Sequence, residues 1–373
     1  MLYPISLHRL HNDYPLAPEK LTIDKSMFSP FQKTFPKQQQ NDSIKLTPNL
    51  YNKTNYVVHY RNLKFYLEQG LIVEKVHRVL AFKQSPWLKR YIDFNTNMRS
   101  NATSDFQKDF FKLMNNSVFG KTQENLRNRV NVEVITNRET ALRRVCKPTF
   151  KRSYTIHDNL TVMQTAVTNL ELNKPLYVGY SVLELSKLHM YDFHYRKMIP
   201  RYPNQLSLCF TDTDSLLYEV ETSDIFRDMY NSINNYDFSD YPIDHPNYNT
   251  KNKKKIGKFK DELNGRALEE FIGLRPKCYS LLYDNDKQKQ TAKGTKTAVK
   301  KAHLRHHHYQ DVLTNLSTLR VKQNTIKSRH HQIGSYSQNK AALTAFDTKR
   351  WICQDGINTL AYGHFDTNSG NKI

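Results

Sequence analysis

The sequence predicts an α+β chain, and three observations carry that prediction. Apolar residues recur at helical spacing in some stretches (Phe106, Phe110, Met114, Val118) and alternate strictly in others (Leu206, Leu208, Phe210). The two kinds of stretch follow no regular β–α–β order, which favours antiparallel sheets with separate helices over a doubly wound fold. Hydrophobic residues make up 38% of the 373 positions and aromatics 12%. The chain therefore buries a core, and disorder along its whole length is excluded.

The elements follow in order. Residues 1–50 read as irregular, with Pro15, Pro18, Pro30 and Pro36 spread through polar sequence. Tyr56-Val57-Val58 reads as a short strand. Arg61 to Gln69 reads as a helix closed by Gly70, a residue type that suits the position after a helix end. Ser85-Pro86 has the form of an N-cap and first helical residue, so a helix is expected from there toward Arg99. Another opens at Ser104, which has capping-box spacing to Gln107, and should stop near Gly120. Its row of Lys108, Lys112 and Asn116 lies about 200° around the helix from the apolar stripe.

Val130, Val132 and Val134 alternate as a strand does. Pro175 precedes a helical stretch from Tyr177 to about His194. Leu206, Leu208 and Phe210 run into Thr211-Asp212-Thr213-Asp214-Ser215, and Leu216 to Val220 reads as a return strand. The result is a strand–turn–strand with two aspartates at its tip. Asp224 to Ile233 reads as an amphipathic helix. Lys251–Lys260 and Lys287–Arg305 are dense in lysine, and no internal repeat is present.

Charge narrows the function. Lys+Arg number 56 against 35 Asp+Glu, a net charge of +21, and the pI is about 9.6. Such a surplus points to a polyanionic partner, foremost nucleic acid. No run of ~18 apolar residues suggests a membrane span, and Met1 to Leu10 lacks the apolar core of a signal peptide. The four cysteines (Cys146, Cys209, Cys278, Cys353) are scattered without a Cys-x-x-Cys pair. They read as free thiols of an intracellular protein, with neither a zinc ribbon nor a disulfide scaffold.

Asp212 and Asp214, two apart, would share one face of an extended strand. At a hairpin tip they could hold Mg²⁺, which takes hard oxygen ligands together with water and phosphate. The same residues also suit an ordinary turn. Asp-x-Asp serves nucleotide-sugar glycosyltransferases as well, a reading that leaves the charge unexplained. Lys112, on the polar row of its helix, could neutralise a phosphate or simply face water.

The run Lys112-Leu-Met-Asn-Asn-Ser-Val-Phe-Gly120 fits Lys-x-x-x-Asn-Ser-x-(Tyr/Phe)-Gly and resembles the fingers motif of family B DNA polymerases. Asp212-Thr213-Asp214-Ser215 resembles that family's palm motif. Lys277-Cys278-Tyr279 is similar to its Lys-x-Tyr motif at the primer end. The three occur in the family's order. Leu10 to Glu19, Tyr56 to Leu67, Trp87 to Thr96, Val182 to Lys187, Gly257 to Glu262 and Leu274 to Tyr279 resemble the organellar and viral branch, which includes protein-primed and Polinton-like transposon polymerases.

The resemblance implies addition of a deoxynucleotide to a primer 3′ end by two-metal phosphoryl transfer. Asp214 is then the principal Mg²⁺ ligand, supported by Asp212. Lys112 contacts the incoming dNTP triphosphate, with Arg99 as a second basic residue and Lys108 as its rival. Asn116 and Phe119 line the base and sugar pocket, and Lys277 and Tyr279 position the primer terminus. The lysine-rich segments, including Lys293 and Lys296, track a primer-template backbone. A terminal-protein primer is a further partner that the branch allows. His306-His307-His308 and His330-His331 are expected on a basic DNA-facing surface rather than at zinc.

The architecture implied is a partial right hand. Residues 1–84 are palm-proximal, 85–125 fingers, 126–290 palm with an antiparallel sheet carrying the metal-binding hairpin, and 291–373 thumb and tail. One departure stands out. The family's upstream Asp-x-x-(Ser/Asn)-Leu-Tyr motif is not matched, because Leu46 precedes Asn49-Leu50-Tyr51 where aspartate would stand. The Leu10 to Glu19 block also belongs after that motif. The chain is thus expected to begin downstream of its first catalytic aspartate and of any exonuclease, and to be a weak or inactive polymerase or a non-catalytic DNA-binding remnant.

Overall fold

The computed structural model describes residues 21–22, 46–284, 286–355 and 358–369. The Leu10 to Glu19 block and most of the irregular stretch expected over 1–50 lie outside the described residues. The molecule mixes helices with small sheets, and among the described residues the strands named below pair antiparallel.

β1 (Leu21–Thr22) pairs with β2 (Leu46–Thr47). No strand forms at Tyr56–Val58. Among the described residues that segment joins no ladder, and its Val57 carbonyl accepts from the Tyr180 hydroxyl at 2.7 Å. α1 (Tyr60–Glu68) follows, capped by the His59 ring and anchored by buried Phe65. Residues 71–86 then cross the surface without regular structure, and Ile72, Val79 and Leu80 stay exposed.

α2 (Lys89–Asn101) starts later than Ser85-Pro86 suggests, because the Pro86 carbonyl first closes a turn onto the Lys89 N–H at 3.0 Å. α3 (Asp105–Thr122) opens as expected, with Ser104 Oγ accepting from the Gln107 N–H at 3.2 Å, and runs two residues past Gly120. The two helices form a hairpin. The Tyr91 hydroxyl donates to the Met114 carbonyl at 3.2 Å, and Asn115 donates to Thr96 Oγ1 at 3.4 Å. The stripe on α3 is only partly covered. Met114 and Val118 are half-buried, but Phe106 is 79% exposed and stacks on Phe110 at the start of the helix, where no described core covers it.

β3 (Val130–Ile135), β4 (Phe150–His157) and β5 (Leu160–Ala166) form a sheet in the order β3-β5-β4, with α4 (Arg138–Val145) beside it. The alternating valines of β3 face solvent while Ile135 is buried. Alternation identified the strand but not the face that would be covered. α5 (Leu176–Phe193) continues into a π-helical turn, His194–Met198. It crosses the end of α3 at Gly179, where a Cβ would overlap the side chains of Thr122 and Gln123.

β6 (Leu206–Asp212) and β7 (Ser215–Val220) make the predicted hairpin, with a bulge between Leu208 and Phe210. Strand alternation lets the hairpin bury both faces. Leu206, Leu216 and Tyr218 join one core with Phe193, Met198 and Phe238. Cys209 and Leu217 join another with Leu263, Leu268, Phe271 and Leu281. α6 (Ile225–Asn231), capped by Asp224, is shorter than expected and ends in a 3₁₀ turn.

β8 (Leu268–Arg275), β9 (Cys278–Tyr283) and β10 (Lys287–Ala292) form a second three-stranded sheet. Among the described residues, the β6–β7 hairpin and this sheet meet through side chains rather than through one continuous ladder. α7 (Thr297–His303) and α8 (His306–Thr314) cover the sheet and the base of a long hairpin, β11 (Thr318–Arg329) with β12 (Gln332–Thr344). His306 does not face DNA. It is buried between Ser280 Oγ (2.9 Å) and Glu270 (3.1 Å), tying α8 to the sheet. His330 and His331 turn the tip of the long hairpin, both with positive φ; His330 stacks on Tyr154 of β4 and His331 meets the same ring at a tilt. β13 (Trp351–Ile352), β14 (Thr359–Leu360) and α9 (Phe365–Ser369) close the chain. Among the described residues no disulfide joins the four cysteines. No described helix is long and apolar enough to cross a membrane.

Candidate active site

The two aspartates do not share a strand face. Asp212 ends β6 and pairs with Ser215, so Thr213 and Asp214 form the turn itself. The Asp214 N–H closes on the Asp212 carbonyl at 2.6 Å, and Thr213 between them has φ 58°. A β-branched residue in that region is strained, and such strain persists only where the surroundings over-determine it. Here the ladder below fixes both strands, Thr213 Oγ1 donates to Asp212 Oδ1 at 3.2 Å, and Ser215 Oγ donates to the Asp212 carbonyl at 3.3 Å. The two carboxylates are thus presented by one tight, pinned turn. Asp214 is exposed, and Asp212 is half-buried.

The fold brings Lys277 to this tip. It occupies the turn between β8 and β9, also at positive φ (61°), and its Nζ lies 3.5 Å from Asp212 Oδ1. Two residues later, the Tyr279 ring packs against Phe210 of β6 at 4.9 Å between centroids. Lys277 and Tyr279 therefore approach the aspartate hairpin along its whole end. Lys293 joins them, since its N–H donates to the Lys277 carbonyl at 2.9 Å. Lys296 opens α7, held by an N–H bond to buried Gln323 at 3.0 Å. Both lysines are exposed.

Lys112, Asn116 and Phe119 lie along α3, the first two exposed and Phe119 half-buried. Arg99 sits in the last turn of α2. No hydrogen bond or ion pair joins these four to Asp212 or Asp214 among the described residues. A Cβ at Gly120 would meet nothing within 4 Å, so space alone does not require glycine there. The connection between α3 and the hairpin runs through α5. One end of α5 takes α3 at Gly179, and His194, just past its other end, places Nδ1 3.0 Å from the Tyr218 hydroxyl on β7. Burial pushes the His194 imidazole down to about 4 and Tyr218 far above the ordinary tyrosine range. The tyrosine therefore donates to a neutral ring.

Two carboxylates on a fixed turn suit a hard divalent cation in kind. In number they fall short of what two ions share, and no group of three acidic, histidine or cysteine side chains gathers anywhere among the described residues. The sequence also hid a second cluster. The lysines of the 251–260 loop gave only a compositional signal, whereas the fold sets Lys254 and Lys260 on Asp240.

A family model described as DNA polymerase type B, organellar and viral, matches residues 3–199, just over half of the chain. The match takes in α2, α3 and α5 and ends before the aspartate hairpin. No curated protein and no solved structure matches the chain.

Proposed function

This chain belongs to the organellar and viral type B DNA polymerases, and from that membership we propose that it extends a primer 3′ end on a DNA template with deoxynucleoside triphosphates. The observation that carries the reading is the approach of Lys277 to Asp212 at 3.5 Å. Both residues lie outside the matched segment, so their meeting supports the reading independently. Asp214 and Asp212 would hold Mg²⁺. When bound, the ions supply charge stabilisation at the triphosphate and lower the proton affinity of the attacking 3′ oxygen. Lys112 and Arg99 bind the triphosphate, and Asn116 and Phe119 shape the base and sugar pocket. Lys277 and Tyr279 seat the primer end, while Lys293 and Lys296 follow the duplex backbone. In this assignment residues 85–125 are the fingers, 126–290 the palm and 291–373 the thumb and tail.

A second reading is DNA binding without transfer, favoured by the two-carboxylate count at the hairpin. Template-directed incorporation on primed DNA, with Mg²⁺ and then Mn²⁺, separates the two. Extension that disappears in Asp214→Asn supports transfer. Salt-sensitive DNA binding with no extension in either ion supports the second reading.

A further inference from the structure

The tip of the β11–β12 hairpin is built from residues that its turn does not favour. Arg329 pairs with Gln332, so His330 and His331 are the two turn residues, with φ 54° and 63°. Two consecutive left-handed residues make a type I′ turn, which prefers Asn-Gly because a short or absent side chain suits that region. Two imidazoles there carry strain that Asn-Gly would avoid. Strain of this kind points to a use for the side chains themselves.

The rings land on β4. His330 stacks on Tyr154 at 4.6 Å between centroids and 18° between planes, and His331 meets the same ring at 5.3 Å and 58°. Arg152 holds its guanidinium 5.8 Å from the Tyr154 centroid and donates through Nε to Gln164 of β5. Arg329, beside the turn, lies 4.6 Å over the Tyr336 ring. No hydrogen bond or ion pair ties the tip to β4 among the described residues, so the junction consists of ring faces. His330, Arg152 and Arg329 are exposed, and Tyr154 and His331 are half-buried. Neither Phe150–His157 nor Thr318–Thr344 contains an Asp or Glu. Open π-faces between guanidinium groups, with no carboxylate on either element, are what an unpaired nucleic-acid strand binds. A duplex keeps its base faces stacked inside and offers only phosphates to such a surface.

We propose that Tyr154, His330 and His331, flanked by Arg152 and Arg329, form a stacking platform for the unpaired bases of single-stranded DNA. A base stacks on the face of His330 turned away from Tyr154, and the two guanidinium groups take neighbouring phosphates. Only the choice of DNA as the strand rests on the transfer reading.

The test is fluorescence anisotropy with the full chain in chelator and no nucleotide, so polymerase activity does not enter it. The probes are labelled oligo(dT), an abasic strand of the same length and a duplex. The wild type is expected to bind oligo(dT) at least about tenfold more tightly than the abasic strand. His330→Asn/His331→Gly gives the turn its preferred residues, so thermal stability should hold or rise while oligo(dT) binding falls about tenfold. Its affinity for the abasic strand and for duplex should match the wild type. Tyr154→Ala should weaken oligo(dT) binding in the same selective way. Arg152→Gln/Arg329→Gln should lower the salt slope for oligo(dT) by about 1.4. Asp214→Asn should bind every probe as the wild type does. Equal wild-type affinity for oligo(dT) and the abasic strand, unchanged oligo(dT) binding in the folded Asn-Gly variant, or an unchanged salt slope in the arginine variant overturns the proposal.

Discussion

Lys277 and Asp212 form an ion pair whose side chains are 51% and 28% exposed. Exposed pairs of this kind contribute about 0–1 kcal/mol. Lys277→Ala should therefore leave thermal stability almost unchanged while cutting primer extension at least ~10-fold, the equivalent of about 1.4 kcal/mol in the transition state. Equal losses in melting temperature and rate would place Lys277 in the scaffold instead. His194 makes the opposite kind of contribution. Its ring is neutral when folded and titrates near pH 4 rather than its ordinary 6.5. The unfolded chain binds the extra proton first, so stability is full above pH 6.5 and falls by about 2–3 kcal/mol as pH drops toward 4. Melting curves across that window should flatten in His194→Asn. At this scale the sequence was informative about residue identity and silent about environment. Asp212, Asp214 and Lys277 stood out by motif, but nothing local to His194 says that Tyr218 will be stacked over it.

Among the elements, α5 carries the connection from α3 to the aspartate hairpin, and Gly179 is its narrowest point. Alanine in an open helix would be favoured over glycine by about 1 kcal/mol. Here the added Cβ overlaps Thr122, whose hydroxyl is already bonded to the Phe119 carbonyl at 2.6 Å. Overpacking of about 1–3 kcal/mol should win, so Gly179→Ala is expected to lower the denaturation midpoint and shift the α3 backbone amides in NMR spectra. The start of α3 could be read from Ser104 and Gln107 because a cap is local chemistry. Which side of that helix is covered could not, since Phe106 and Phe110 look like core residues until the neighbouring elements leave them outside. The β3 valines mislead for the same reason. Periodicity reports a repeat, whereas burial depends on what arrives from elsewhere in the chain. The early closing of the Pro86 turn shows a smaller limit, one turn of helix lost to a competing local hydrogen bond.

Taken whole, the molecule spreads its positive surplus unevenly. The long β11–β12 hairpin contains five Lys or Arg residues and no acidic one over Thr318–Thr344. Exposed Lys293 and Lys296 lie beside its base. Binding to duplex DNA should therefore weaken steeply with salt. Replacing Lys293 and Lys296 by Gln should reduce the slope of log K against log salt by about 2 if each meets a phosphate. An unchanged slope would remove them from the DNA path. The polyanion partner was legible in composition alone. The division of the expected sheet into separate sheets joined by side chains was not, because strand partnering is a long-range choice that alternation does not encode.

The hairpin that bears the aspartates has neither face to itself, and this sets the order in which the site can mature. Its first core draws on residues 190–241, a nearly continuous run that can collapse soon after it leaves the ribosome. Its second core borrows Leu263, Leu268, Phe271 and Leu281, and Lys277 comes with them. Until that later segment is made, Cys209 and Leu217 have no cover and Asp212 has no lysine opposite. A nascent chain halted before Leu263 would hold a shaped turn on a half-naked hairpin, the kind of surface that chaperones engage and that aggregates when they do not. Completion of the candidate catalytic end is therefore a late event of vectorial folding, timed by synthesis of the sheet that follows it.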